Sequence, residues 1–175
     1  MKIFGIVGWS GSGKTTLLID LIPVLIGRGL TVSTCKHAHH AFDVDTPGKD
    51  SYRHRAAGAT EVLVSSGARW ALLHELRTTP EPELDTLVQR MTPVDLLLVE
   101  GFKRNPHEKL EVFRPSVGKS MLANKDPKIV AVASDAKIDG LHVPVIDLDD
   151  VEAIAAFIMA HCGLGSNKDD GAAFG

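Results

Sequence analysis

Residues 8–16 read GWSGSGKTT, and from Gly8 to Thr15 they fit the spacing G-x-x-x-x-G-K-[ST] of a loop that cradles phosphate. Each residue type has a physical reason to be there. Gly8, Gly11 and Gly13 let the backbone turn its N–H groups inward around an anionic β-phosphate. A helix starting near Lys14 adds the positive end of its dipole. Lys14 is expected to reach the β- and γ-phosphates, and the Thr15 hydroxyl to ligate Mg2+. Ser10, Ser12 and Thr16 complete the expected lining. The competing reading, a glycine-rich turn without function, does not explain why a strand-like run precedes the motif and a helical pattern follows it.

A phosphate loop of this kind needs a carboxylate at the end of an apolar strand, near the metal. VDLLLVEG, residues 94–101, supplies it. Asp95 opens that strand, roughly 17 Å from its far end at ~3.3 Å per residue, and so reads as a solvated strand start. Glu100 ends it on the same edge as the phosphate loop and is assigned to Mg2+ or its water shell.

A second polar stretch, KHAHHAFDVDTPGKDS at 36–51, follows the strand expected at 30–35. If that strand runs beside the first one, Lys36 leaves it on the phosphate edge. It then either reaches a γ-phosphate or anionic substrate, or is an ordinary surface lysine. Asp43, Asp45 and Asp50 are the available carboxylates for a magnesium shell, with a helix-capping role competing at Asp50. His37, His39 and His40 could hold zinc or nickel, since imidazole suits both. Yet no cysteine and no second spaced histidine pair completes a tetrahedral set, and the hard oxygen donors suit Mg2+ better.

These residues need a scaffold, and the rest of the chain describes one. Apolar strand-like runs lie at 2–7, 30–35, 60–66, 69–76, 94–102, 109–115, 128–134 and 142–148. Helical patterns lie at 13–29, where Pro23 is expected to introduce a kink, and at 49–59, 81–91 and 150–163. Alternation of this kind implies a single-domain α/β fold over residues 1–163. Its sheet should be mainly parallel with helices on both faces, and ligands should bind at the carboxyl ends of the strands. Residues 164–175 read as a disordered tail. A net charge of −3 in 175 residues argues against bulk binding to nucleic acid or an anionic membrane. There is no apolar run of the ~20 residues that would span a bilayer, and no export signal at 1–8. Cys35 and Cys162, without CxxC neighbours, read as reduced thiols of a cytoplasmic protein.

The phosphate loop, KHAHHAFDVDTPGKDSYRHRAAGA (36–59), RWALL (69–73) and LLLVEGFK (96–103) together resemble the MobB family of molybdopterin-guanine dinucleotide biosynthesis adapter proteins. That resemblance, from residue 3 to about 160, implies a P-loop NTPase fold that binds GTP with Mg2+ and hydrolyses it weakly if at all. It also implies a homodimer that assists the guanylyltransferase MobA, which attaches GMP to molybdopterin; molybdopterin itself is a further possible ligand. A wider resemblance is to dethiobiotin synthetase-like phosphate-loop proteins, with Lys36 and Glu100 matching their lysine and glutamate and Asp50 matching their magnesium-binding aspartate more loosely. Two departures count against transferring those activities. The VEG turn continues as Phe102-Lys103-Arg104, without further glycines, and Trp9 stands where partition ATPases carry an extra lysine.

Guanine recognition has two candidates. In NKD at 124–126, Asp126 comes one residue too early for N-K-x-D and precedes its strand, so it reads as a turn. Asp135, just past IVAVAS, either accepts from guanine N1 and N2 or is a cap residue. Lys103, Arg104, His107, Lys109 and Arg114 form a basic run near the active edge, read as a solvated face or as a receiver of an anionic pterin phosphate. No residue is assigned a catalytic role. Two other functions compete: an ATP-dependent kinase or ligase acting on a small anion, and a metallochaperone GTPase using the three histidines.

Overall fold

The structure, a computed structural model, describes residues 1–38 and 42–165. In chain order its elements are β1 (Lys2–Val7), α1 (Lys14–Gly27), β2 (Val32–Lys36), α2 (Asp50–Ala56), β3 (Glu61–Ser65), β4 (Trp70–His74), α3 (Leu84–Val88), β5 (Leu96–Glu100), β6 (Lys109–Phe113), β7 (Ile129–Ser134), β8 (Val145–Asp147) and α4 (Val151–Cys162). They group into two compact units, one built from Met1–His37 and the chain from Thr92 onward, the other from Ala38–Met91.

The first unit is a six-stranded sheet in the order β2-β5-β1-β6-β7-β8, parallel at every pairing. All five residues of β5 are buried, as its unbroken apolar run requires of a strand covered on both faces. The expected neighbour of β2 was β1, and here the structure differs: β5 lies between them. Leu96, Leu97, Leu98 and Val99 are apolar toward both faces and belong inside the sheet. Val32–Lys36, with Ser33, Thr34 and the terminal lysine, stays half-exposed at the edge. Strand direction is unaffected, so β1, β2 and β5 still end on one edge.

Helices α1 and α4 pack against one another and against the same face of the sheet. Leu17, Leu18, Leu21 and Leu25 of α1 and Ile154, Ala155 and Ile158 of α4 close over Phe4, Ile6, Leu98, Leu110 and Val112. Each such leucine or isoleucine, fully buried, contributes about 1.5–3 kcal/mol. α1 continues through Pro23, and α4 is capped by Asp150, whose carboxylate accepts from Ala153 N at 2.9 Å. On the opposite face Val7, Ile129 and Val132 pack with Met121 and Ala123. Lys109, the first residue of β6, departs from the solvated face expected of the basic run. It is 1% exposed, and its Nζ donates to the carbonyls of Lys103 and Asn105 and pairs with Asp126 at 2.9 Å.

In the second unit β3 and β4 form an antiparallel hairpin of their own, Leu63 opposite Leu72 and Ser65 opposite Trp70. The turn between them is closed by Ser66 N donating to Arg69 O, and so short a link cannot make a parallel crossover. α2 and α3 are shorter than the sequence patterns suggest. Arg55 is gripped inside this unit by Asp43 at 2.8 Å and Glu75 at 3.2 Å. Cys35 and Cys162 are free thiols, and burial pushes both up from the usual thiol range. Of the tail expected from 164, residues 166–175 lie outside the described residues. Among the described residues, no helix is long and apolar enough to cross a membrane.

Candidate nucleotide site

The turn from β1 into α1 is a loop whose glycines take backbone conformations that few other residues adopt. Gly8 has φ 146°, and a Cβ there would stand 2.4 Å from Val112 O and 2.7 Å from Ser12 Oγ, so only glycine fits. Gly11 and Gly13 have φ values of 81° and 97°, the left-handed region open to glycine. The first turn of α1 carries no acidic residue and no side-chain cap, which leaves its N–H groups to an anion. Ser12 Oγ is buried without a hydrogen-bond partner among the described residues, a polar atom that points to a ligand at this loop.

Four side chains, Lys14, Thr15, Lys36 and Glu100, cluster at the loop. Lys14 Nζ donates to Trp9 O at 2.8 Å, and burial holds its pKa below the usual lysine range despite the opposing pull of Glu100. Thr15 Oγ1 donates to Glu100 Oε1 at 3.1 Å. Lys36 Nζ lies 3.2 Å from Glu100 Oε2 and 3.5 Å from Thr15 Oγ1. Lys36 and Glu100 meet because β2 and β5 pair in the register that sets them opposite each other. Asp95, at the other end of β5, accepts from Thr31 N and Thr31 Oγ1 at 2.7 and 2.6 Å and takes no part in this cluster.

On the other flank, Arg114 leaves the end of β6 and spans two groups. Its Nε donates to Ser12 O at 3.2 Å and its Nη1 pairs with Asp135 Oδ2 at 2.7 Å. Asp135 is therefore an ion-pair partner of the loop's own bracing arginine rather than a cap. It lines a cavity of about 420 Å³ with Ser134, Lys137, Val145 and Asp147. A smaller cavity of about 120 Å³ adjoins Gly13, Thr16, Asp20, Arg114 and Asp149. Sequence reasoning left Arg114 in the general basic run; its place one residue beyond a strand, on the edge shared with Lys36 and Glu100, was the available signal.

Gly8, Ser10, Gly11, Ser12, Gly13, Lys14, Thr15, Thr16, Lys36, Glu100 and Asp135 all belong to the first unit. Asp50 belongs to the second, where it opens α2, and its carboxylate is 3.6 Å from Arg53. The N-cap there is Lys49, with no side-chain cap. Asp43 is held below the usual carboxylate range by its hydrogen bonds from Arg55 and, less strongly, from the backbone of Asp45. His37 donates its backbone N–H to Glu100 O at 2.9 Å and its ring packs on Phe102. His39 and His40 lie outside the described residues. Among those described, no group of three His, Cys, Asp or Glu is placed to hold a metal by itself.

Comparison with known proteins then converges. The family model "MobB: Molybdopterin guanine dinucleotide synthesis protein B" matches residues 3–135. A protein of Escherichia coli (strain K12) named molybdopterin-guanine dinucleotide biosynthesis adapter protein is 44% identical over 162 residues, which is 91% of this chain and 92% of that one. A protein of the same name from Haemophilus influenzae is 43% identical over 161 residues, covering 90% and 88% of the two chains. A crystal structure of molybdopterin-guanine biosynthesis protein B superposes with a TM-score of 0.71 at 29% identity, over 91% of this chain and 99% of that chain.

Proposed function

The chain belongs to the MobB family, and from that premise we propose that it is a cytoplasmic adapter in molybdopterin-guanine dinucleotide biosynthesis that binds GTP with Mg2+ and assists the guanylyltransferase MobA. The observation that carries this reading is the meeting of Thr15, Glu100 and Lys36 beside a loop whose glycines are left-handed and whose helix N-terminus is uncapped.

In this reading the amides of residues 8–16, with Ser10, Ser12 and Thr16, surround the phosphates, and Lys14 leaves Trp9 O to neutralise them. The Thr15 hydroxyl and the Glu100 carboxylate are hard oxygen donors 3.1 Å apart, the chemistry that suits Mg2+. When bound, the metal neutralises charge between the outer phosphates. Lys36 stands beside the same oxygens and faces the γ-phosphate. Asp135 accepts from guanine N1 and N2, with Arg114 linking it to the loop. No side chain is assigned as a general base for water, so turnover at most slow is the expectation.

The homodimer that the family resemblance implies has a physical candidate for its contact in the second unit. Leu63, Trp70 and Leu72 share one face of the β3–β4 hairpin and are 64%, 66% and 45% exposed. Calorimetric titration with GTP, ATP and GDP, with and without Mg2+, tests the nucleotide assignment; GTP should bind most tightly, and only with the metal. Mixing the chain with MobA, GTP and molybdopterin tests the adapter role. An unchanged yield of the dinucleotide over all protein ratios would remove it.

A further inference from the structure

Lys103 belongs to no phosphate-loop motif, yet its ammonium lies over the ring of Trp9, the loop's second residue, 4.4 Å from the centroid. Several independent features hold it there. The turn that leads to it is strained: Gly101 has φ 88°, and Phe102 has φ 47°, a left-handed conformation rare for a bulky residue and characteristic of functional positions. A Cβ on Gly101 would come within 3.1 Å of His37, so the turn is also tightly packed. The carbonyl of Lys103 is fixed by the buried ammonium of Lys109 at 3.2 Å. The Trp9 ring is in turn pinned by Nε1 donating to Ser120 O at 2.7 Å. Trp9 thus carries two of the cations near the loop, Lys14 on its carbonyl and Lys103 on its ring.

The local charge is out of balance in a way that an anion would correct. Lys14, Lys36 and Lys103 are close enough that the latter two weaken the protonation of the first. Burial lowers the pKa of Lys103 as well. Of the carboxylates facing them, Glu100 already pairs with Lys36. Glu111, fully buried, accepts from Leu122 N and Ala123 N at 2.8 and 2.7 Å, and burial pushes its carboxyl up toward the neutral form. Among the described residues Lys103 has no carboxylate in a direct ion pair, and Glu111 attracts it only without contact; its stacked ammonium, beside a phosphate loop, is held in store for a charge that arrives later.

We propose that Lys103 is a third phosphate-binding cation, held on Trp9 and moving to the terminal phosphate of a bound nucleoside triphosphate. This rests on the nucleotide reading above, and the experiment separates the two. The chain has two tryptophans, and Trp70→Phe leaves Trp9 as the sole reporter. In that background GTP should alter Trp9 emission as the cation leaves the ring, and GDP, lacking the terminal phosphate, should not. Lys103→Met should abolish that response and weaken GTP about tenfold or more, while GDP changes less than about twofold. Lys103→Arg should restore most of the GTP affinity, which also shows that the position tolerates substitution. If the unsubstituted chain binds both nucleotides and Lys103→Met weakens them equally, or weakens neither, the assignment of Lys103 is overturned and the nucleotide reading stands. If it binds neither nucleotide, both fall.

Discussion

Lys36 and Glu100 occupy matched positions on the neighbouring parallel strands β2 and β5, and the lysine ammonium lies 3.2 Å from the carboxylate that also receives the Thr15 hydroxyl. A cation of the protein therefore sits beside the two oxygens that would face the metal. A divalent ion entering there must displace or reorient Lys36, which would carry its charge to the phosphate the ion accompanies.

Glu100→Gln keeps the shape of that side chain and removes its charge. GTP affinity in the presence of Mg2+ should fall about tenfold or more, and the gain that Mg2+ gives the wild type should vanish. Calorimetry with and without the metal measures both. An unchanged metal dependence would show that the carboxylate lies outside the metal's reach.

Lys14 predicts an opposition between stability and binding. Its charged form is disfavoured by burial, so Lys14→Met should abolish triphosphate binding while raising the melting temperature of the nucleotide-free chain. Trp9 O keeps a hydrogen bond from Ser12 N at 3.2 Å when the ammonium is gone. The pH dependence has a definite sign. The folded pKa is below the unfolded one, so the wild type bears the full cost at neutral pH. It recovers stability as pH rises from the depressed value toward the ordinary 10.5, and its gap to the methionine variant narrows over that window.

Asp95 should behave in the opposite way. Its hydrogen bonds from Thr31 hold its pKa below the usual aspartate range, so it stabilises the fold at pH values above about 4 and ceases to do so as pH falls through the lowered value. Asp95→Ala should lower the melting temperature at pH 7 and match the wild type in strong acid, with nucleotide affinity changed less than about twofold. A large loss of affinity would mean that the two ends of β5 are not functionally separate.

The hairpin offers a test of assembly. Leu72→Glu puts a charge in the middle of the apolar face it shares with Leu63 and Trp70. If that face joins two copies, light scattering should show a dimeric wild type and a monomeric variant, because an unpaired buried charge is strongly disfavoured. A variant that remains dimeric places the contact elsewhere.

What was legible in the sequence was what is local. The loop at 8–16 announces itself because its glycines, lysine and threonine act through spacing along one turn. The β5 run was readable because burial on both faces leaves no polar position between Leu96 and Val99. Strand order is different: nothing within Val32–Lys36 states that its neighbour is β5, since that choice is made by a strand far along the chain. Lys109 was misread for the same reason. A lysine is rarely buried, and only the distant Asp126 and two carbonyls from the preceding loop permit it here. Arg114 and Asp135 each looked ordinary alone, and their pairing exists only once β6 and β7 lie side by side.

The place of β5 between β1 and β2 carries a consequence for how the chain is made. As it leaves the ribosome, the phosphate loop and Lys36 emerge long before Glu100, with the entire second unit synthesised in between. Until β5 arrives, the first two strands have no shared partner and their edges stay open. A nascent polypeptide that stops short of residue 100 therefore holds the loop but not the carboxylate, and ligand-induced stabilisation during synthesis can begin only after that strand has slotted in.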